Sequence, residues 1–214
     1  MKVDEVTKKR YDILGQEVVK ELKKRNFTAY YVESGEEAKE LALKLIPEGS
    51  SVSWGGSMTL NEIGLKKAIK EGNYTAIDRE EAKNPQERNE IMKKGLYADY
   101  FLMSANAMSR EGIMVNIDGL GNRIASLLFG PEHVIVISGM NKVEESLEDA
   151  IRRARYKVAP INGQRFDRGS FCSYKGYCGE CTGNQSICSH MAITRTQMDE
   201  NRIVHILVGE NLGF

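Results

Sequence analysis

Apolar residues change their period repeatedly along this chain, and each change marks an element. From about Val3 to Asn26 they fall at Val6, Ile13, Leu14, Val18 and Leu22 among many Lys and Glu. That helical spacing predicts an amphipathic opening helix. Phe27 to Val32 is aromatic and β-branched and predicts a first strand, after which Ser34-Gly-Glu-Glu opens a helix through Ile46 that Pro47 ends. Short apolar runs at Ser51–Trp54, Tyr74–Ile77, Asp99–Ser104, Gly112–Asp118, Pro131–Ser138 and Arg202–Glu210 predict further strands. Between them, Asn84-Pro85 starts a helix to about Tyr97, and Gly139-Met-Asn-Lys142 precedes one from Val143 to about Tyr156. Helices that alternate with short strands imply right-handed crossovers on an open, mostly parallel α/β sheet, with helices on both faces and ligands beyond the strands' carboxyl ends.

Three loops fall at that edge. Around Ser50 to Leu65 the chain reads strand, bend, helix: Gly55 and Gly56 release the backbone for positive φ, and Ser57 or Thr59 caps a helix with an apolar stripe of Leu60, Ile63 and Leu65. Free amides and the helix dipole there suit a phosphate or carboxylate, while Glu62 complements the dipole or closes a capping box with Thr59. A glycine-rich strand-to-helix turn is equally how α/β chains change direction. The second loop holds Asp118, Asn122 and Arg123 around two glycines; the guanidinium suits bidentate bonding to an anion, though an Asp-Gly turn into a hairpin reads the same way. Asn141 and Lys142 make the third. Convergence of the three implies a pocket.

Composition narrows the partners. Thirty basic and thirty acidic residues among 214 cancel, and with a pI near 6.8 the chain lacks the electrostatic footprint for nucleic acid. An apolar content of 41% fills an ordinary core for a single domain over residues 1–214. The charged opening Met1–Arg10 lacks a secretory signal's apolar segment, and no apolar span reaches bilayer length, so a cytoplasmic location and no membrane partner are expected. A homodimer contact has two candidate surfaces, the amphipathic opening helix and the cysteine region.

All four cysteines lie within an excursion at 160–200, spaced Cys172-x5-Cys178-x2-Cys181-x6-Cys188, with glycines at 176, 179 and 183. A reducing compartment favours a metal over disulfides, and four thiolates suit either tetrahedral zinc or an iron–sulfur cluster. A zinc-stapled loop without chemistry has the same spacing. His190 is one ligand too many and belongs to solvent or a helix surface; His133 and His205, in or beside strands, read as structural.

The blocks Gly56-Ser-Met-Thr-Leu-Asn-Glu-Ile-Gly64, Asn116-Ile-Asp-Gly-Leu-Gly-Asn-Arg123, Gly139-Met-Asn-Lys142 and Gly209-Glu-Asn-Leu-Gly-Phe214 resemble those of the LUD (lactate utilisation) domain proteins over nearly the whole chain. The resemblance implies a fold similar to the sugar-phosphate isomerase and CoA-transferase group. It also implies a link to operons that oxidise L-lactate to pyruvate, beside an iron–sulfur redox partner subunit. Carried over by position, Ser57, Thr59 and Glu62 match the first block, Asp118, Asn122 and Arg123 the second, and Asn141 and Lys142 the third. The chain differs from longer LUD proteins in lacking a ferredoxin-like double cluster motif.

Three functions follow as expectations. The first is a redox-associated protein of lactate or related small-acid metabolism, with an anionic small molecule at Ser57 and Arg123 and a metal or iron–sulfur centre at the cysteines. The second is a non-redox enzyme on a phosphorylated sugar, CoA ester or folate, with Glu62 or Asp118 as base and a structural zinc. The third is a metabolite- or metal-sensing module.

Overall fold

A computed structural model describes residues 3–166 and 168–214; Met1, Lys2 and Asp167 lie outside it. The opening helix α1 spans Glu5–Lys24, with the Asp4 carboxylate accepting the Thr7 amide at 2.9 Å, and it leads into β1 at Thr28–Val32. Helix α2, Gly35–Leu45, is capped by Ser34, and β2 follows at Ser51–Trp54. Next come β3 (Thr75–Ile77), α5 (Pro85–Lys94, capped by Asn84) and β4 (Tyr100–Met103). Strands β7 (His133–Gly139) and β10 (Ile203–Val208) complete one sheet, ordered β1-β10-β7-β4-β2-β3 with every pair parallel.

Both faces of this sheet are covered, as its period-two pattern requires. Val134 and Val136 of β7 pack with Tyr11, Val18 and Leu22 of α1. Ile135 and Ile137 face the opposite way, onto Ala38 and Ala42 of α2. Because all six strands run in one direction, the segments after β2, β4, β7 and β10 emerge along a single rim.

Several elements differ from the sequence reading. The helix after Ser57 is two pieces, α3 (Met58–Glu62) and α4 (Leu65–Glu71), broken where Gly64 adopts φ +71. Gly55 and Gly56 do not use positive φ. They serve close approach: a Cβ on Gly55 would stand 2.8 Å from Arg123 Cδ, and one on Gly56 would stand 2.7 Å from Arg79 Nη2.

Between the strands predicted at Asp99–Ser104 and Gly112–Asp118 lies an unpredicted one, β5 (Ala107–Ser109), which turns at Gly112 into β6 (Met114–Asp118). These belong to a second sheet, ordered β8-β5-β6-β9, in which β8 is Val143–Glu144 and β9 is His190–Thr194. Strand β6 is therefore antiparallel to both neighbours and outside the parallel sheet. After Asp118 the chain enters helix α6, Asn122–Leu128, so the Asp-Gly pair does not make a hairpin.

The helix expected from Val143 begins only at Leu147, where Ser146 accepts the Asp149 amide at 3.1 Å. It runs as α7 (Leu147–Arg152), a π-helical stretch (Arg153–Val158) and α8 (Ala159–Gly163). A final short helix, α9 (Phe171–Lys175), opens the cysteine loop. No helix among the described residues is long and apolar enough to cross a membrane.

Candidate functional site

Where the rim segments meet, Ser57, Thr59, Asn106, Arg123, Lys142 and Gly213 line one cavity of about 50 Å³. The Lys142 ammonium is buried and donates to Ser104 Oγ at 2.9 Å and to Thr59 Oγ1 at 3.1 Å. Burial, reinforced by the charges of Arg153 and Arg123 and opposed by Glu62, pulls its pKa down to about 7. Arg123, from α6, extends over Gly55 and donates from Nη2 to Asn106 Oδ1 at 3.0 Å and to the Ile117 carbonyl. Burial lowers Arg123 as well, and the Asp118 carboxylate opposes that shift.

The two carboxylates nearby are engaged elsewhere. Asp118 Oδ2 accepts the amides of Arg123 (2.8 Å) and Ile124 (3.2 Å), where a carboxylate complements the first turn of α6. Glu62 is exposed and accepts the Gly213 amide at 2.7 Å; it closes no capping box with Thr59. The cap of α3 is Ser57, whose Oγ accepts the Leu60 amide at 3.3 Å. Asn141 likewise accepts the Leu212 amide at 3.0 Å. Glu62 and Asn141 thus fasten the segment Gly209–Phe214 across the cavity, and Tyr11 adds a 3.0 Å bond to Asn211.

Of the residues singled out in the sequence, Gly56, Ser57, Thr59, Arg123 and Lys142 share the cavity wall. Gly55, Glu62, Asp118, Asn122 and Asn141 stand behind it or hold its cover; Gly55 donates its amide to the Leu102 carbonyl at 3.2 Å, and Asn122 opens α6. Four polar residues were missed. Ser104 and Asn106 follow the apolar run of β4, at the rim where such residues point into a site. Arg165 lines the mouth, and Arg153 donates to the carbonyls of Asn106 and Asn141 while pairing with Glu144 at 3.2 Å. No sequence motif marks the two arginines, because it is the fold that brings them in.

A second cavity, about 320 Å³, is lined by Cys172, Cys178, Cys181 and Cys188, all free thiols. Among the described residues, no three Cys, His, Asp or Glu side chains converge as the ligands of a single metal ion would. His190 is exposed on β9 rather than on a helix; His133 stacks on Tyr100 at 4.8 Å, and His205 lies buried in β10 against Phe27.

An open parallel α/β sheet with a small cationic cavity at its carboxyl rim and a thiol-lined cavity beyond it defines the class of protein. The chain belongs to the LUD-domain family, whose model matches residues 15–208. A crystal structure of a DUF162 family protein from Deinococcus radiodurans shares the fold, with a TM-score of 0.52 at 11% identity over 92% of this chain and 96% of that one. Two others from Chaetomium thermophilum align less closely. The eIF2B beta structure has a TM-score of 0.38 at 16% identity, over 54% of this chain and 44% of its own. For eIF2B delta the TM-score is 0.34 at 16% identity, over 68% and 59%. Comparison with curated proteins gave no match.

Proposed function

We propose that the chain binds a small carboxylate of the 2-hydroxy or 2-oxo acid class between Arg123 and Lys142. We propose further that it carries a metal centre at its four cysteines, serving the small-acid redox metabolism with which the LUD family is linked. One observation carries the first half: Arg123 and Lys142, joined by Arg165, line a compact cavity whose lining residues include no Asp or Glu. A guanidinium and an ammonium so placed are complementary to one carboxylate, with the hydroxyls of Ser57 and Thr59 beside it.

Size selects within the anions. On a measure where a single water needs about 10–15 Å³, a cavity of about 50 Å³ admits only a handful of heavy atoms. Lactate or pyruvate is of that order. A phosphorylated sugar, CoA ester or folate would place only its anionic end inside. Helix α3, at five residues, contributes little dipole, so the charge comes from Arg123 and Lys142 rather than from the Ser57 amides.

Isothermal titration with lactate, pyruvate and the uncharged lactamide tests the reading. The acids bind, lactamide does not, and Arg123→Met weakens the acids by roughly 10- to 100-fold, the range for a charge-assisted hydrogen bond of about 1.5–3 kcal/mol. Equal affinity for lactamide, or an unaffected Arg123→Met protein, would overturn it.

A further inference from the structure

We infer that the cavity ringed by Cys172, Cys178, Cys181 and Cys188 is built for an iron–sulfur cluster ligated by all four thiolates, and not for a single zinc ion. This deepens the metal-centre half of the function proposed above and is independent of the carboxylate pocket.

The geometry of the sulfurs is the first argument. Around one zinc, thiolates bonded at ~2.3 Å stand about 3.8 Å apart and enclose no space between them. Here the four thiols surround a cavity of about 320 Å³ without converging as single-ion ligands do. A cluster has several irons, each taking its own thiolate, so its ligands surround a body and not a point.

The second argument is what surrounds each sulfur. Cys172 Sγ lies 3.4 Å from Ser170 Oγ, Cys188 Sγ 3.7 Å from Ser186 Oγ, and Cys181 Sγ accepts the Phe171 amide at 3.4 Å. The Arg155 guanidinium stands beside Cys178 in the cavity wall and pairs with Glu180 at 3.1 Å. Each sulfur thus has a polar hydrogen-bearing group beside it, and hydrogen bonds and charges near sulfur are among the protein's means of setting a cluster's potential. Ile117, Ala159, Pro160 and Met191 supply apolar wall. Two glycines allow close packing around the loop: a Cβ at Gly163 would stand 2.8 Å from Cys172 Sγ, and one at Gly179 would stand 2.2 Å from the Phe171 ring.

The placement also has a use. Val158 and Asn162 line the carboxylate cavity while Ala159 and Pro160, on the same helical run, line the cysteine cavity. Ile117, whose carbonyl accepts Arg123, lines the cysteine cavity too. The two sites therefore lie across one helix, a thickness of roughly 10 Å.

The full chain, purified anaerobically and reconstituted with ferrous iron and sulfide, tests the inference. Expected are iron and acid-labile sulfide in equal amounts and a visible absorption that dithionite bleaches. One zinc per chain, colourless and undisplaced by reconstitution, would overturn it. Cys181→Ser is expected to lose most of the iron and sulfide, whereas Arg155→Leu keeps the cluster and shifts its midpoint potential negative, a readout that zinc does not have. Pyruvate titration of each protein monitors the fold and the other site. Intact pyruvate binding with no cluster rejects this inference alone, while a loaded cluster without pyruvate binding rejects only the carboxylate pocket.

Discussion

Lys142 is held in a setting that opposes its charge. With a pKa of about 7 in the folded protein against the usual 10.5, the unfolded chain binds more protons between those values. Stability therefore rises with pH across that window, by up to roughly 1.4 kcal/mol per unit. Lys142→Met is expected to flatten that slope in denaturant titrations at pH 7 and 9. Carboxylate affinity runs the other way: the ammonium attracts the ligand, so binding weakens as pH climbs past 7, and calorimetry of the two proteins over that range separates the effects. His205 follows the same logic at acid pH. Fully buried in β10 with neither ring nitrogen hydrogen-bonded, it is pushed down to about 3. Between pH 7 and 5 the unfolded imidazole gains a proton that the folded one refuses, a loss of about 2 kcal/mol. A His205→Leu protein should lose correspondingly less over those two pH units in urea melts.

Residue chemistry was legible in the sequence where it sat at a strand's end. Arg123 and Lys142 were found because each follows a glycine-bearing turn after an apolar run, and both reach the cavity. Glu62 and Asp118 carried the same signature, yet their oxygens accept backbone amides. Spacing does not distinguish a carboxylate that faces a ligand from one that fastens a loop, because the difference depends on where residues near 213 return in space.

Among the elements, two glycines with different duties give opposite predictions. Gly64 breaks a helix in the left-handed region with open space where a side chain would project. Gly64→Ala is expected to cost about 1–2 kcal/mol in unfolding free energy and to leave carboxylate binding intact. Gly55 is the converse: its added methyl meets Arg123. A Gly55→Ala protein should lose carboxylate affinity through displacement of Arg123, with a smaller change in its urea midpoint. Long periodic elements such as α1 and α2 were predictable, since many residues report one pattern. Strands β5, β8 and β9, of two to five residues, were not, because so short a run carries no period of its own and is defined by its partner. In β9, the alternation of Met191 and Ile193 was the available signal.

At the scale of the whole molecule, the sequence indicated one mostly parallel α/β sheet, and six of the ten strands among the described residues comply. The second sheet escaped notice since Gly112–Asp118 has the same apolar character as a central parallel strand, although its neighbours run against it. That small sheet is what delivers Arg123 to the rim of the large one. The cover over the rim is tertiary too: Glu62, Asn141 and Tyr11 each grip the chain's last residues across long sequence distances. Glu62→Gln is expected to speed amide exchange at Gly213 and to raise the lactate dissociation rate, as measured by hydrogen exchange and stopped flow. An unchanged rate would mean that the cover does not govern exit.

The helical run through Val158, Ala159 and Asn162 is a party wall between two chambers. Its π-helical turn ends at Val158, which faces one chamber, immediately before Ala159 and Pro160, which face the other, and Pro160 offers no amide to anchor a neighbour. Whatever occupies one room leans on plaster that the other room must share.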